Sequence, residues 1–127
     1  MSDYDRVYKI LIIDDDKTLQ TMLKAVLVSN GFDVVSTFSG EEGLALAKSE
    51  KPDFIILDVI MPGIKGREVC RRLKEDAQTR DIPVMFLTSK DSEDDVEAEL
   101  KAGAVGHVTK PVNSMSLVRK IKQTLGV

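Results

Sequence analysis

A chain of 127 residues, 43% hydrophobic and 31% charged, can bury about two-thirds of its unfolded surface in one core and is too apolar to be disordered. One Cys and one His exclude an internal disulfide and a thiolate or imidazole zinc cluster, so any metal must be a hard cation on oxygen ligands. A net charge of −3 leaves no basic footprint for nucleic acid, no apolar run reaches the roughly 20 residues of a membrane span, and the polar start Met1 to Arg6 is no secretory signal, which together favour a cytoplasmic address.

In chain order, Ile10 to Ile13 reads as a buried strand that runs into Asp14-Asp15-Asp16. Leu19, Met22, Leu23, Val26 and Leu27 then fall at i, i+3, i+4, i+7 and i+8, the inner stripe of a helix ending near Asn30-Gly31. Phe32 to Phe38 is a second, alternating strand, and Ser39 opens a second helix through Ala47, stopped before Pro52. Phe54 to Leu57 is a third strand ending at Asp58, followed by a Met61-Pro62-Gly63 loop and a helix from about Gly66 with Val69, Cys70 and Leu73 inward. Val84 to Leu87 runs into Thr88-Ser89. Asp91 to Ala102 follows as a helix, its acids crowded toward the positive dipole end, with Gly103 as its stop. Val105 to Thr109 runs into Lys110-Pro111, and Met115, Val118, Ile121 and Leu125 line a last helix.

The pattern is a βα unit repeated five times within a single domain, residues 1–127. Continuous apolar strands belong to a parallel sheet covered on both faces. With right-handed crossovers, the fold expected is α/β, a doubly wound five-stranded parallel sheet of order 2-1-3-4-5, the flavodoxin-like (βα)5 arrangement.

Such a sheet brings four strand ends to one edge, where ligands of open α/β sheets bind. Those ends carry Asp14-Asp15, Asp58, Thr88 and Lys110. Carboxylates held about 4 Å apart repel by roughly 4 kcal/mol per pair at an effective dielectric near 20, so the cluster needs a cation or a proton. Magnesium suits it, because Mg2+ binds through one or two carboxylates and bridges to phosphate oxygens. A carboxylate nucleophile, a metal, a lysine and a hydroxyl make a set for forming an aspartyl phosphate.

These residues carry a family resemblance over the whole chain. Asp14-Asp15 after strand 1, Leu57-Asp58-x-x-Met61-Pro62-x-x-x-Gly66, Thr88 after strand 4, Ala102-Gly103-Ala104 and Lys110-Pro111 resemble the receiver domains of two-component response regulators. The resemblance implies a phosphoacceptor switch, not a turnover enzyme, in which Asp58 takes a phosphoryl group from the phosphohistidine of a histidine kinase or phosphotransfer protein. It implies Mg2+ held by Asp15, Asp58 and the backbone carbonyl of Ile60, with Asp14 acting through water, and Thr88 and Lys110 gripping the phosphoryl oxygens. It also implies that partners read the face made by helix 4, strand 5 and helix 5, and leaves a phosphorylation-linked homodimer open. A cis Lys110-Pro111 bond is expected on the same ground.

Other residues have plainer readings. Asp16 is expected to be a helix N-cap, Cys70 a core residue, and the acid run Asp91 to Glu99 a solvated helix face. His107 stands where many receivers carry a Tyr or Phe that swings on phosphorylation; as a switch residue beside Thr88 it would bring a polar edge and pH sensitivity. Lys65 and Val112 depart from the residues common in the family at their positions. Ile60 is apolar and cannot orient an attacking water, so slow self-dephosphorylation is expected, with Lys90 as a second modulator.

Two other classes compete. Ile10 to Leu19 also resembles the first motif of haloacid-dehalogenase-type phosphatases, with Asp14 as nucleophile and Asp16 as acid/base, but residues 111–127 hold no Asp or Glu to complete that metal site. A receiver-like interaction module silent to phosphorylation is the other, opposed by the intact set of Asp14, Asp15, Asp58, Thr88 and Lys110. A flavodoxin-type cofactor site is weaker still, since three acids would repel a phosphate where its phosphate loop would lie. Kinase, output partner and the choice between a stand-alone regulator and part of a longer protein stay open.

Overall fold

The structure, a computed structural model, describes residues 6–89 and 93–127, the side chains of 93–95 excepted. Ten elements alternate along it: β1 (Lys9–Ile13), α1 (Lys17–Ser29), β2 (Asp33–Thr37), α2 (Gly40–Glu50), β3 (Phe54–Asp58), α3 (Gly66–Glu75), β4 (Val84–Thr88), α4 (Glu93–Lys101), β5 (Gly106–Thr109) and α5 (Ser114–Leu125). The strands form one parallel sheet of order β2-β1-β3-β4-β5, as the repeated βα pattern predicts.

Because side chains alternate across a strand, the sheet splits the apolar residues between two cores. Ile10, Ile12, Phe54, Ile56, Met85, Leu87 and Val108 pack against Leu23 and Leu27 of α1 and Leu117, Val118 and Ile121 of α5. On the other face, Leu11, Ile13, Ile55, Leu57, Val84 and Phe86 meet Ala47 of α2 and Val69, Cys70 and Leu73 of α3. All residues of β3 and β4 are buried, which is why their sequences read as unbroken apolar runs.

Several boundaries and faces differ from expectation. α2 runs on to Glu50, past Ala47, and Lys51 turns the chain in a left-handed conformation at φ 49° before Pro52. α4 ends at Lys101, one residue before the expected Ala102; its expected start at Asp91 lies outside the described residues, as do Lys90 and Met1 to Asp5. Met22 and Met115 are not inward: they are 38% and 74% exposed, while Gln20 and Leu117 are buried. At 100° per residue each methionine sits roughly a third of a turn from the centre of its helix's buried stripe.

The helix entries are set by short polar side chains. Asp16, Ser39 and Asn113 cap α1, α2 and α5, accepting from the N–H groups of Leu19, Glu42 and Ser116. Lys65 stands at the same position before α3 and makes no such side-chain bond; its Nζ donates to the Met61 carbonyl at 3.4 Å.

Candidate functional site

The register carries the strand ends to one edge. Ile13 lies opposite Leu57, Asp58 opposite Leu87, and Thr88 opposite Thr109, so the next residues of β1 and β5, Asp14 and Lys110, emerge beside Asp58 and Thr88. Past the end of β1 the chain is tied down closely. Asp14 N donates to the Thr37 carbonyl at 3.2 Å, and Asp14 Oδ1 accepts from Asp16 N at 2.9 Å. Asp16 then caps α1, as expected, and Asp15 is left exposed at the rim.

Asp58 is buried at the end of β3, its Oδ1 accepting from Ile60 N at 3.3 Å. Its backbone is pinned from behind by α3. A Cβ on Gly66 would fall 2.0 Å from the Asp58 carbonyl oxygen, so only glycine admits this approach. Ile60 itself is 53% exposed at the mouth of the site.

Carboxylate oxygens of Asp14, Asp15 and Asp58 lie within 4.8 Å of one another. Lys110 reaches across from β5, its Nζ 3.3 Å from Asp14 Oδ2 and 3.5 Å from Asp58 Oδ1, while its backbone N donates to the Thr88 carbonyl at 2.8 Å. The Lys110-Pro111 peptide is cis, as expected. Burial, reinforced by the Asp14 charge, pushes the Asp58 carboxyl up to about 6. Asp14 is raised as well, by burial, against the lowering effect of the Asp16 N–H and Lys110. Burial alone would lower Lys110, but the Asp14 and Asp58 carboxylates hold it above the ordinary lysine value.

Among the described residues, one ammonium thus stands against three clustered carboxylates, and the surplus negative charge is what a hard divalent cation would relieve. All-oxygen ligands in this number fit Mg2+ better than a soft metal, so the cluster could hold such an ion. A cavity of about 500 Å3 lies at the opposite end of the sheet, lined by Tyr8, Phe32 and Lys122, away from the acids.

His107, on β5 opposite Phe86, is drawn into an arrangement that sequence reasoning missed. Its Nδ1 lies 3.7 Å from Oε2 of Glu99, and Glu99 is 2% exposed. The α4 acids are therefore not uniformly a solvated face, because Glu99 turns inward toward β5. Cys70 is core, as expected: burial pushes its thiol up to about 11, and its Sγ contacts the Ala102 carbonyl at 3.2 Å.

Gln20 was missed too. Apolar periodicity passes over it, although a polar residue three positions before Leu23 on the inner side of α1 was the available signal. Its carboxamide nitrogen contacts the carbonyls of Ile12, Asp14 and Thr37 at 3.3, 3.1 and 2.9 Å.

Known proteins share both sequence and fold with this chain. The profile of the response regulator receiver domain matches residues 10–122. Protein PilH of Pseudomonas aeruginosa is 40% identical over 117 residues, which span 92% of this chain and 97% of PilH. The alkaline phosphatase synthesis transcriptional regulatory protein PhoP of Bacillus subtilis is 39% identical over the same share of this chain, which spans only 48% of PhoP. Among solved structures, a response regulator of Chloroflexus aurantiacus superposes with a TM-score of 0.91 at 34% identity, covering 96% of this chain and 100% of that one. The chemotaxis protein CheY4 of Vibrio cholerae superposes at 0.89 and 29% identity, covering 93% of this chain and 98% of CheY4. No helix among the described residues is long and apolar enough to cross a membrane. With matched profile, sequence relatives and sheet order in agreement, this chain belongs to the response regulator receiver domain family.

Proposed function

We propose that the chain is a phosphoacceptor switch of a two-component phosphorelay, with Asp58 as the phosphorylated residue. The observation that carries this reading is the gathering of Asp14, Asp15 and Asp58 carboxylate oxygens within 4.8 Å of one another, with Lys110 in salt-bridge reach of Asp14 and Asp58, at the sheet edge where β4 ends in Thr88. The donor would be the phosphohistidine of a histidine kinase or phosphotransfer protein. An Asp58 carboxylate oxygen forms the new O–P bond as the N–P bond breaks, and the histidine nitrogen leaves with the electron pair. Even with burial pushing its carboxyl up from the ordinary 3.8 to about 6, Asp58 is mostly ionised at neutral pH and so available as the nucleophile.

Asp15, Asp58 and the Ile60 carbonyl would hold Mg2+, with Asp14 contributing through water; bound there, the ion neutralises charge on the transferring phosphoryl oxygens. Lys110, already 3.5 Å from Asp58, would pair with a phosphoryl oxygen once Asp58 carries the phosphoryl group. Thr88, buried at the end of β4, would donate its hydroxyl to another. Thr88 and His107 would pass the change to the face of α4, β5 and α5, which a downstream protein or a second copy reads. The switch catalyses its own phosphorylation without being a turnover enzyme, acts by protein contact in the cytoplasm, and touches neither membrane nor nucleic acid directly. Ile60 offers no polar group to orient water, which supports slow loss of the phosphoryl group.

The phosphatase alternative asks Asp16 to act as acid/base, yet Asp16 is engaged as the cap of α1. Incubation with acetyl phosphate and Mg2+, followed by intact mass measurement, separates the readings. The switch gains one phosphoryl group that Asp58→Asn loses. Retention in Asp58→Asn with loss in Asp14→Asn would favour the phosphatase, and no gain in the wild type would favour the silent module.

A further inference from the structure

Gln20 is a buried polar residue on the inner side of α1, 4% exposed, where its helical neighbours Leu23 and Leu27 enter the core. Its carboxamide nitrogen faces three backbone carbonyls, those of Ile12, Asp14 and Thr37. All three are acceptors, so the nitrogen must point at them. The oxygen Oε1 is then left buried without a hydrogen-bond partner among the described residues. An apolar side chain of the same length would fill the space without that unpartnered oxygen. The glutamine is therefore a poor choice for packing and a good one for donating.

What it donates to is the backbone from which the acids hang. The Asp14 N–H is held by the Thr37 carbonyl, and the Asp14 carbonyl is held by Gln20, which also reaches the same Thr37 carbonyl. That Asp14 carbonyl belongs to the peptide leading into Asp15. Fixing it fixes the orientation of the Asp14–Asp15 peptide relative to the end of β2. Mg2+ demands near-ideal octahedral geometry and tolerates little displacement of its carboxylates.

We infer that Gln20 is a positioning residue for the acidic site, whose carboxamide clamps the Asp14–Asp15 peptide in the orientation that cation binding requires. The inference rests on the phosphoacceptor reading and deepens it. Groups that orient metal ligands from behind are typically worth about 10–100-fold in metal affinity.

The test is Gln20→Met, which keeps length and bulk but removes the donors, with Gln20→Asn as a shorter carboxamide should the methionine variant fail to fold. Calorimetric titration with Mg2+ alone gives Kd, melting gives stability, and phosphorylation by acetyl phosphate is followed against Mg2+ concentration. The clamp predicts a Kd raised about tenfold or more, and a phosphorylation rate that recovers when Mg2+ is raised to saturation. A merely structural role predicts a lower melting temperature with Kd unchanged, and that result, in a wild-type protein that does bind Mg2+, overturns this inference alone. A wild-type protein that binds no Mg2+ overturns the phosphoacceptor reading and the clamp together.

Discussion

The β1–β3 end of the sheet and the β4–β5 side handle buried charge in opposite ways. At the first, Asp14, Asp15 and Asp58 crowd together with Lys110 reaching between Asp14 and Asp58, and both buried acids are held above their ordinary proton affinity. At the second, one buried carboxylate, Glu99, is set beside one imidazole, His107. The first is a site under electrostatic load that an added ion or a phosphoryl group changes. The second is a local pairing of acid and base that packs α4 against β5. Cost at one end therefore reads as function, and pairing at the other as structure that function can disturb.

The largest effect expected of any single change is at Asp58. Asp58→Asn removes the proposed nucleophile, and phosphoryl uptake from acetyl phosphate should fall to background by intact mass. Next comes Gly66→Ala, which drives a methyl group into the Asp58 backbone. It should destabilise the fold by about 3 kcal/mol or more, read by denaturant unfolding, because the clash is with backbone that cannot move aside.

The load on Asp58 also has a pH signature. Asp58 binds its proton more tightly folded, near pH 6, than at its ordinary value of 3.8. Its neutral form thus contributes stability below about pH 4 that is lost as pH rises through about 6, roughly 3 kcal/mol in all. Without divalent cations the wild type should lose this increment between pH 4 and 7, while Asp58→Asn should not, so their unfolding free energies should diverge over that window. Mg2+ should restore stability to the wild type at pH 7.5 and do less for Asp58→Asn.

A smaller effect is expected on the other side. Glu99→Ala leaves a cavity and takes the nearby carboxylate from His107, costing about 1–3 kcal/mol. Its Mg2+ affinity, by calorimetry, should match that of the wild type. A Glu99→Ala protein that binds Mg2+ markedly less well would join the two regions that are here kept apart.

Legibility followed the same divide. Asp14, Asp15, Asp58, Thr88 and Lys110 could be found because each ends an apolar run, and a parallel sheet carries such ends to one edge. Gly66 and Lys110-Pro111 belonged to a spaced motif, and the close backbone approach and the cis bond are there. Gln20 and Glu99 were hidden, since periodicity assigns inward faces by hydrophobicity and is blind to a carbonyl cluster or an imidazole waiting inside. Met22 and Met115 show the opposite case, apolar residues at helical spacing that nevertheless lie off the buried stripe.

The central claim is that Asp58 is the acceptor in a site built by its neighbours, and intact mass with peptide mapping after acetyl phosphate and Mg2+ tests it most directly. The account predicts one added phosphoryl group, carried by the peptide containing Asp58 and absent in Asp58→Asn. A phosphoryl group mapped to Asp14, or none under conditions where the protein is folded and binds Mg2+, would contradict it.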